Sequence, residues 1–324
     1  MARWIDTIFV ANDRTPPKGG GELAIINMGA VMANAAVRGD ESLIIITGAT
    51  GNIGTELIRL LAERGAEVKA VSRNPPQAEM RSGVNWIEAD LADRRALPGV
   101  FDGADRLFLL TGNVGEMVRL QKNAIAAAEE AGVAHVVKVS ALGASDHSKS
   151  VIGVWHHNVE RVLSETALGW TILRPHVFMQ NLLLQRETIR LEHEVRSPAG
   201  EARIPMIDTR DIAAVAAAIL TGSGHEGKRY TLTGREAVSY RDATRILSDA
   251  LGIPLTYVPE SEKTAFSRLH DQGLPPWLIG AQLALAEYQR EGGGTDVITD
   301  AVAELSGRRP RTFREFARDF APAF

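Results

Sequence analysis

Cysteine is absent from this chain of 324 residues. Disulfides, thiolate nucleophiles, iron–sulfur ligation and cysteine-rich zinc sites are excluded with it. Tyrosine is scarce: Tyr230, Tyr240, Tyr257 and Tyr288 are the full set. Enzymes that exchange a proton with a substrate hydroxyl through tyrosine place a lysine four residues on, whose ammonium lowers the phenol pKa. Here the residues four on are Gly234, Thr244, Ser261 and Gly292, so no such pair exists. Charge of one sign is nowhere concentrated. The net charge is −4 with no long basic block, which leaves nucleic-acid binding without an electrostatic footprint. No apolar run reaches membrane-spanning length. Ser140 lies in no nucleophile-elbow pattern, which argues against a hydrolase. A soluble cytoplasmic protein with neither a nucleic-acid nor a membrane partner is expected.

Apolar residues make up 45% of the chain, enough for one large domain or two sharing a cleft. The organising stretch is Leu43-Ile-Ile-Ile46 followed by Thr47-Gly-Ala-Thr-Gly-Asn-Ile-Gly54. The first four residues are apolar without alternation, as in a strand buried on both faces. Gly48, Gly51 and Gly54 come next, then Ile53, Leu57, Leu60 and Leu61 at helical spacing, with Gly65 as the stop. One glycine permits the sharp turn, one lets backbone approach a pyrophosphate, and one lets helix and strand pack closely. The phosphates would face the unpaired N–H groups at the helix start.

The residues ahead of this strand, 1–42, read as a poorly ordered extension with a Thr15-Pro-Pro-Lys-Gly-Gly-Gly21 breaker. The alternative is a segment packed on a partner subunit. After the glycine turn, strands are predicted at Glu67–Arg73, Val84–Ala89, Ala104–Thr111, His135–Val139 and Trp170–Leu173, with helices at Glu116–Glu130 and Trp155–Thr166. The alternation predicts an α/β fold with a doubly wound parallel sheet. Residues 43–180 form the nucleotide-binding part. Residues 181–324 form a smaller α+β substrate region, partly interleaved through a strand near 228–233. In that region Arg203–Ile207 reads as a further strand, and Glu291–Thr295 as a flexible link.

Ligands of such sheets bind outside the carboxyl ends of the strands. Those ends are Thr47, Arg73, Asp90, Thr111, Ser140 and Pro175. Where an acid would meet a free ribose 2′-hydroxyl stands Ser72-Arg73-Asn74, and arginine accommodates a 2′-phosphate. NADP(H) is therefore preferred over NAD(H); the alternative for Arg73 is a solvated surface residue. Asp90 can accept from the adenine amino group or cap a helix near Ala92. Ser140 can touch a nicotinamide or substrate carbonyl, or bond nearby backbone. On the helix that would carry the tyrosine stands Trp155-His-His-Asn-Val-Glu-Arg161. His156 and Glu160 hold i and i+4. A neighbouring carboxylate raises a histidine pKa, making His156 a candidate proton donor; an ordinary helix-surface pair is the alternative. Two ligands with no third make no metal site, and no metal is expected. His176, Phe178 and Asn181 are candidates for the substrate pocket, Phe178 equally for the core.

These motifs form a series. The glycine turn, Ser72-Arg73, Asp90-Leu91, Ser140-Ala-Leu-Gly143 and Val159-Glu160 are followed by Trp170-Thr-Ile-Leu-Arg-Pro175, Asn181, Asp208-Thr-Arg-Asp-Ile212 and Gly307-Arg-Arg-Pro-Arg-Thr-Phe-Arg-Glu-Phe316. The series resembles the NmrA-like group of atypical short-chain dehydrogenases/reductases over about residues 43–320. The group holds NADPH-dependent quinone, azo-dye and triphenylmethane-dye reductases, plant phenylcoumaran and isoflavone reductases, and non-catalytic NADP sensors. The resemblance implies that Gly48, Gly51, Asn52 and Ile53, with Thr50 beside them, meet the pyrophosphate. It implies Arg73 at the 2′-phosphate and Asp90-Leu91 at the adenine. Thr111 with Gly112, Ser140 and Pro175 fall on the nicotinamide side. The bacterial quinone and dye reductases of the group lack the tyrosine–lysine pair, as this chain does. A reductase of an electron-poor conjugated acceptor is therefore expected, with an NADP(H) sensor as the alternative and a homodimer possible. A nucleotide-sugar isomerase is disfavoured by the missing pair.

Overall fold

The structure, a computed structural model, describes residues 42–76, 83–292 and 296–324. The extension expected over residues 1–42 lies outside these apart from Ser42, and so does most of the glycine link at 291–295. Nine strands occur among the described residues: β1 Leu43–Ile46, β2 Glu67–Ser72, β3 Val84–Glu88, β4 Arg106–Leu109, β5 His135–Val139, β6 Gly169–Pro175, β7 Glu194–Ser197, β8 Lys228–Leu232 and β9 Thr256–Pro259. The helices of the first half are α1 Asn52–Glu63, α2 Leu97–Phe101, α3 Met117–Glu130 and α4 Val151–Ser164. Those of the second are α5 Arg186–Glu192, α6 Thr209–Thr221, α7 Tyr240–Leu251, α8 Glu262–Asp271, α9 Pro276–Glu291, α10 Ala301–Ser306 and α11 Phe313–Phe320.

Seven strands form one sheet in the order β3-β2-β1-β4-β5-β6-β8, and every pairing is parallel. Alternate residues of the central strands therefore face opposite layers. Ile44, Ile46, Phe108, Val137 and Val139 pack with α1, α6 and α10. Ile45, Leu107, Leu109 and Val136 pack with α2, α3 and α4. Burial on both faces explains why these strands read as continuous apolar runs. A third cluster, with Met206, Leu247, Phe313 and Phe316 at its heart, joins α5, α7, α9 and α11 with β7. The second half thus contributes twice: α6, β8 and α10 complete the main sheet's layers, and the remainder builds the cluster beyond its edge.

Three local expectations are corrected. Arg203–Ile207 is no strand; it makes two isolated bridges, Ile204 with Val238 and Phe178 with Ile207. Pro205 lacks the N–H a ladder needs. No helix starts at Ala92. Asp90 accepts from the Ala92 N–H at 2.9 Å and so caps a turn, and the helix begins only at Leu97. The helix predicted from Trp155 begins four residues earlier, at Val151. One strand was not foreseen: β7, Glu194-Val-Arg-Ser197, pairs with β9.

The seat of α1 depends on Gly54. A Cβ there would stand 2.2 Å from the Gly48 carbonyl oxygen and 2.8 Å from the Ala49 Cα. Both obstacles are backbone, so no rotamer change relieves them. Gly54→Ala should destabilise the fold by about 1–3 kcal/mol, read as a lower urea midpoint at an unchanged slope. An unchanged midpoint would show that the turn can yield.

Candidate functional site

The sheet order reverses between β1 and β4, which is where an open α/β sheet opens its crevice. Thr47 ties that seam. Its N–H donates to the Phe108 carbonyl at 3.0 Å. Its Oγ1 donates to the Leu110 carbonyl and accepts from the Leu110 N–H, both at 2.9 Å. Gly48 follows with φ +64°, and a Cβ there would meet the Leu110 oxygen at 2.9 Å. The turn closes with the Gly51 N–H on the Gly48 carbonyl at 3.0 Å.

Gly51 is the N-cap of α1, and no side chain caps that helix. Its first turn carries no acid. A Cβ on Gly51 would meet only the Gly48 oxygen, at 3.4 Å, so the outer side of the turn is open. Uncapped N–H groups, a positive helix end and space above glycine are what a pyrophosphate requires. The turn therefore fits a dinucleotide. Arg73, just past β2, is exposed and makes no hydrogen bond or ion pair among the described residues, which leaves its guanidinium available to a phosphate. Asp90 is exposed at the end of β3 with Leu91 half-buried beside it. The Leu91 carbonyl accepts from Asn123 of α3 at 2.9 Å. Thr111, past β4, accepts from Gln121 of α3 at 2.8 Å. Gln121 is fully buried, and its Oε1 has no partner.

The ends of β5 and β6 are laced together. The Ser140 N–H donates to Leu173 at 2.7 Å, and the Leu142 N–H to Pro175 at 3.0 Å. Ser140 is buried, and its hydroxyl donates to Glu160 of α4. Glu160 is 2% exposed. Arg174 grips it through Nε at 3.0 Å and a second nitrogen at 2.5 Å, and Arg229 of β8 stands 3.7 Å away. Arg229 also lies over the Trp170 ring at 4.6 Å.

This overturns the expected His156–Glu160 pair. Glu160 belongs to Ser140 and Arg174. Both His156 and Glu160 are buried, so neither is a surface group. His156 Nδ1 instead meets Lys138 Nζ of β5 at 3.1 Å. Burial and then the lysine charge push the imidazole pKa well below its ordinary value, the opposite of the raised value expected. Lys138 is fully buried, and its second bond goes to the Val139 carbonyl at 3.0 Å. Burial brings its pKa down to about 7, with Glu160 opposing and Arg174 assisting.

His176 is buried and its Nδ1 accepts from the Val177 N–H at 2.7 Å. Phe178 packs against the core and bridges Ile207. Asn181 is exposed in the short helical segment after it. Its neighbour Gln180 is the buried polar group there: it donates to Asp208 at 2.9 Å and accepts from the Thr209 N–H at 3.0 Å. Sequence reasoning missed Gln121, Lys138 and Gln180. Lys138 and Gln180 are each a long polar side chain in an apolar run, and that break in the pattern was the available signal; Gln121, between Arg119 and Lys122, gave none.

Strand order, the uncapped glycine turn at the seam and the polar strand ends define a dinucleotide-binding protein of the Rossmann class. The NmrA-like family model matches residues 40–317, and the chain belongs to that family. It is 37% identical to an NAD(P)H azoreductase of Xenophilus azovorans over 287 residues, covering 87% of this chain and 99% of the relative. It is 31% identical to quinone oxidoreductase 2 of Escherichia coli strain K12, covering 84% and 96%. The NADPH-dependent quinone oxidoreductase of Escherichia coli, solved in complex with NADPH, superposes with a TM-score of 0.77 at 28% identity over 86% of this chain and 99% of that one.

A lysine whose folded pKa lies near 7 makes stability depend on pH. Between about 7 and its ordinary 10.5 the unfolded chain holds a proton that the folded chain lacks. Stability should therefore rise with pH from about 7 upward, by at most about 1.4 kcal/mol per unit. Toward pH 10 the phenols of Tyr240 and Tyr257, both raised by burial, act the other way. Denaturation midpoints of wild type and Lys138→Met across this range check the sign; a rise that persists in the variant would assign it elsewhere.

Proposed function

We propose that this protein is an NADPH-dependent reductase of conjugated, electron-poor acceptors of the quinone or azo kind. The observation that carries the reading is the likeness to a named azoreductase along 87% of the chain, joined to a dinucleotide cradle that is intact in this chain. Gly48, Thr50, Gly51, Asn52 and Ile53 would hold the pyrophosphate, Arg73 the 2′-phosphate, and Asp90 with Leu91 the adenine. Thr111, Gly112, Ser140 and Pro175 would flank the nicotinamide. His176, Phe178 and Asn181 stand where the chain passes from β6 into the second half and would line the acceptor pocket.

The bound cofactor supplies a hydride. The chain's own residues bind and orient. The laced ends of β5 and β6 fix the floor of the crevice, and Arg174 with Ser140 locks α4 against it through Glu160. Acceptors of this class take hydride readily, so alignment supplies much of the rate. That fits a chain without the tyrosine–lysine pair. No helix among the described residues is long and apolar enough to cross a membrane, and the proposal places the protein in the cytoplasm, acting on small molecules.

Arg73→Ala should weaken NADPH binding about ten- to a hundredfold, the worth of one or two charge-assisted hydrogen bonds, and leave NADH binding nearly unchanged. Titration of both nucleotides by fluorescence checks this; equal losses would remove Arg73 from the 2′-phosphate. The wild type should oxidise NADPH with members of a panel of quinones, azo dyes and enones. Tight NADPH binding without turnover on any of them would instead mark a sensor.

A further inference from the structure

The crevice lacks an evident proton donor, yet an azo or enone acceptor needs a proton to follow the hydride. A candidate stands just below the end of β5. Val136 belongs to the layer of α2, α3 and α4, and Val137 and Val139 to the opposite layer. Lys138 therefore points toward α4. There its ammonium meets His156 Nδ1 at 3.1 Å. A donated N–H at Nδ1 fixes the neutral ring as the tautomer with its proton on Nε2. Nε2 has no hydrogen-bond partner among the described residues, and it is not one of the sealed side-chain atoms without one, which are Gln121 Oε1 and His135 Nδ1. The edge that carries the proton thus keeps some exposure, although His156 as a whole is only 6% exposed.

Its position follows from the topology. α4 runs back from the carboxyl end of β5, antiparallel to the strand, so its early residues stand on the crevice side. Ser140, the first residue past β5, is level with Glu160, to which it is hydrogen-bonded. His156 stands one turn earlier on the same face, about 5 Å farther toward the crevice. That is beyond the strand end, at the level where the preceding reading puts the nicotinamide and its acceptor.

We propose that His156 and Lys138 form the proton relay of this reductase, with His156 Nε2–H giving the proton and Lys138 Nζ replacing it at Nδ1. The inference rests on the reductase reading and adds the donor to it. Hydride addition leaves an anion on the acceptor's oxygen or nitrogen. That anion takes the Nε2 proton while Nδ1 takes one from the ammonium, so the imidazole stays neutral throughout. Between turnovers a solvent proton enters at Nε2 and Nδ1 hands its proton back to the Lys138 amine, which is sealed from water. The net change is one solvent proton delivered per hydride.

A buried lysine suits this task because it releases its proton near neutrality. Burial is the main cause; the charged groups acting on it are Glu160 from α4, which holds the proton on, and Arg174 from β6, which drives it off. Its register neighbours Leu109 of β4 and Ile172 of β6 are apolar, and the buried face of α3 carries only Gln121 among polar groups. His156 supplies the acceptor. The relay is charged below about pH 7 and discharged above it. His156 is the catalytic residue of the pair, since its nitrogen faces the acceptor; Lys138 is the positioning residue that sets its tautomer and refills it.

The test joins spectroscopy on the full chain to kinetics. In protein carrying nitrogen-15 histidine, without nucleotide, His156 should show an unprotonated, hydrogen-bonded Nδ1 and a protonated Nε2. The Nδ1 signal should shift as Lys138 titrates, and that shift should vanish in Lys138→Met. With an azo or enone acceptor, wild-type kcat should fall above about pH 7. Lys138→Met and His156→Gln should each lose about a hundredfold in kcat, the ordinary worth of a general acid, with the alkaline limb gone and NADPH affinity kept. Proton on Nδ1 rather than Nε2 would overturn the relay. So would wild-type kcat and an unchanged alkaline limb in Lys138→Met. A wild type that binds NADPH but reduces nothing would bring down the reductase reading and the relay with it, whereas failure of the variants' predictions alone condemns only the relay.

Discussion

The fold turns on one seam. β1 and β4 are neighbours in space but are separated by sixty residues of chain, and the direction of winding reverses between them. Everything that addresses a dinucleotide hangs from that seam. Thr47 binds it through side chain and backbone, and Gly48 then leaves in a left-handed conformation that brings its own backbone against Leu110. A residue with a side chain could not make that exit. Because the exit is fixed, the start of α1 is fixed, and its uncapped N–H groups face the crevice. The contact between Gly54 and the Gly48 carbonyl transmits the same constraint to the whole helix, and through α1 to α6, which packs beside it in one layer.

A second constraint concerns charge. Glu160 is almost sealed and would be costly to bury alone. It is held by a bidentate arginine, a serine hydroxyl and a more distant second arginine. Those partners come from β5, β6 and β8, so one carboxylate binds α4 to three strands at the level of the crevice floor. Removing any partner leaves a charge behind in a dry place. Asp208 works similarly farther out: fully buried, it is gripped by Arg210, which reaches on to Asp319 of α11 at 2.9 Å and lies over Phe320. Asp211 holds the Arg311 backbone and side chain. Through these two acids the C-terminal segment is attached to the start of α6, and the third cluster to the sheet.

Much of this was readable from local pattern. A strand buried on both faces writes itself as a short unbroken apolar run, and β1 and the Leu107–Leu110 stretch at β4 did so. The glycine turn was readable because three glycines between such a run and a helical period have few other uses. Arg73 was readable as a cation where an acid would otherwise stand. What escaped has a common cause. The i, i+4 rule on α4 put His156 with Glu160, whereas the partners of both come from strands: Lys138 is eighteen residues before His156, and Arg174 fourteen after Glu160. Pairing across layers leaves no period in the sequence. Lys138 itself looked like an interruption of His135-Val-Val-Lys-Val139, although the strand buries all five residues. β7 escaped because four residues with alternate charges resemble a loop, and only β9, sixty residues on, makes them a strand.

The absent tyrosine now takes on a different meaning. A phenol acid works because a lysine beside it on the same helix keeps its pKa near the working range. This chain has the helix but keeps its lysine on the neighbouring strand, under the helix instead of on it. Moving the cation beneath the sheet-facing side of α4 has two physical consequences. The ammonium is desolvated, so it becomes acidic near neutrality. And the group between it and the crevice must both accept and donate, which an imidazole does and a phenol beside a helix lysine need not. Glu160 is meanwhile held by arginines from β6 and β8. The arrangement of cations around α4 is thus one solution: arginines, always charged, hold the carboxylate, and the single titrating cation is left facing the histidine.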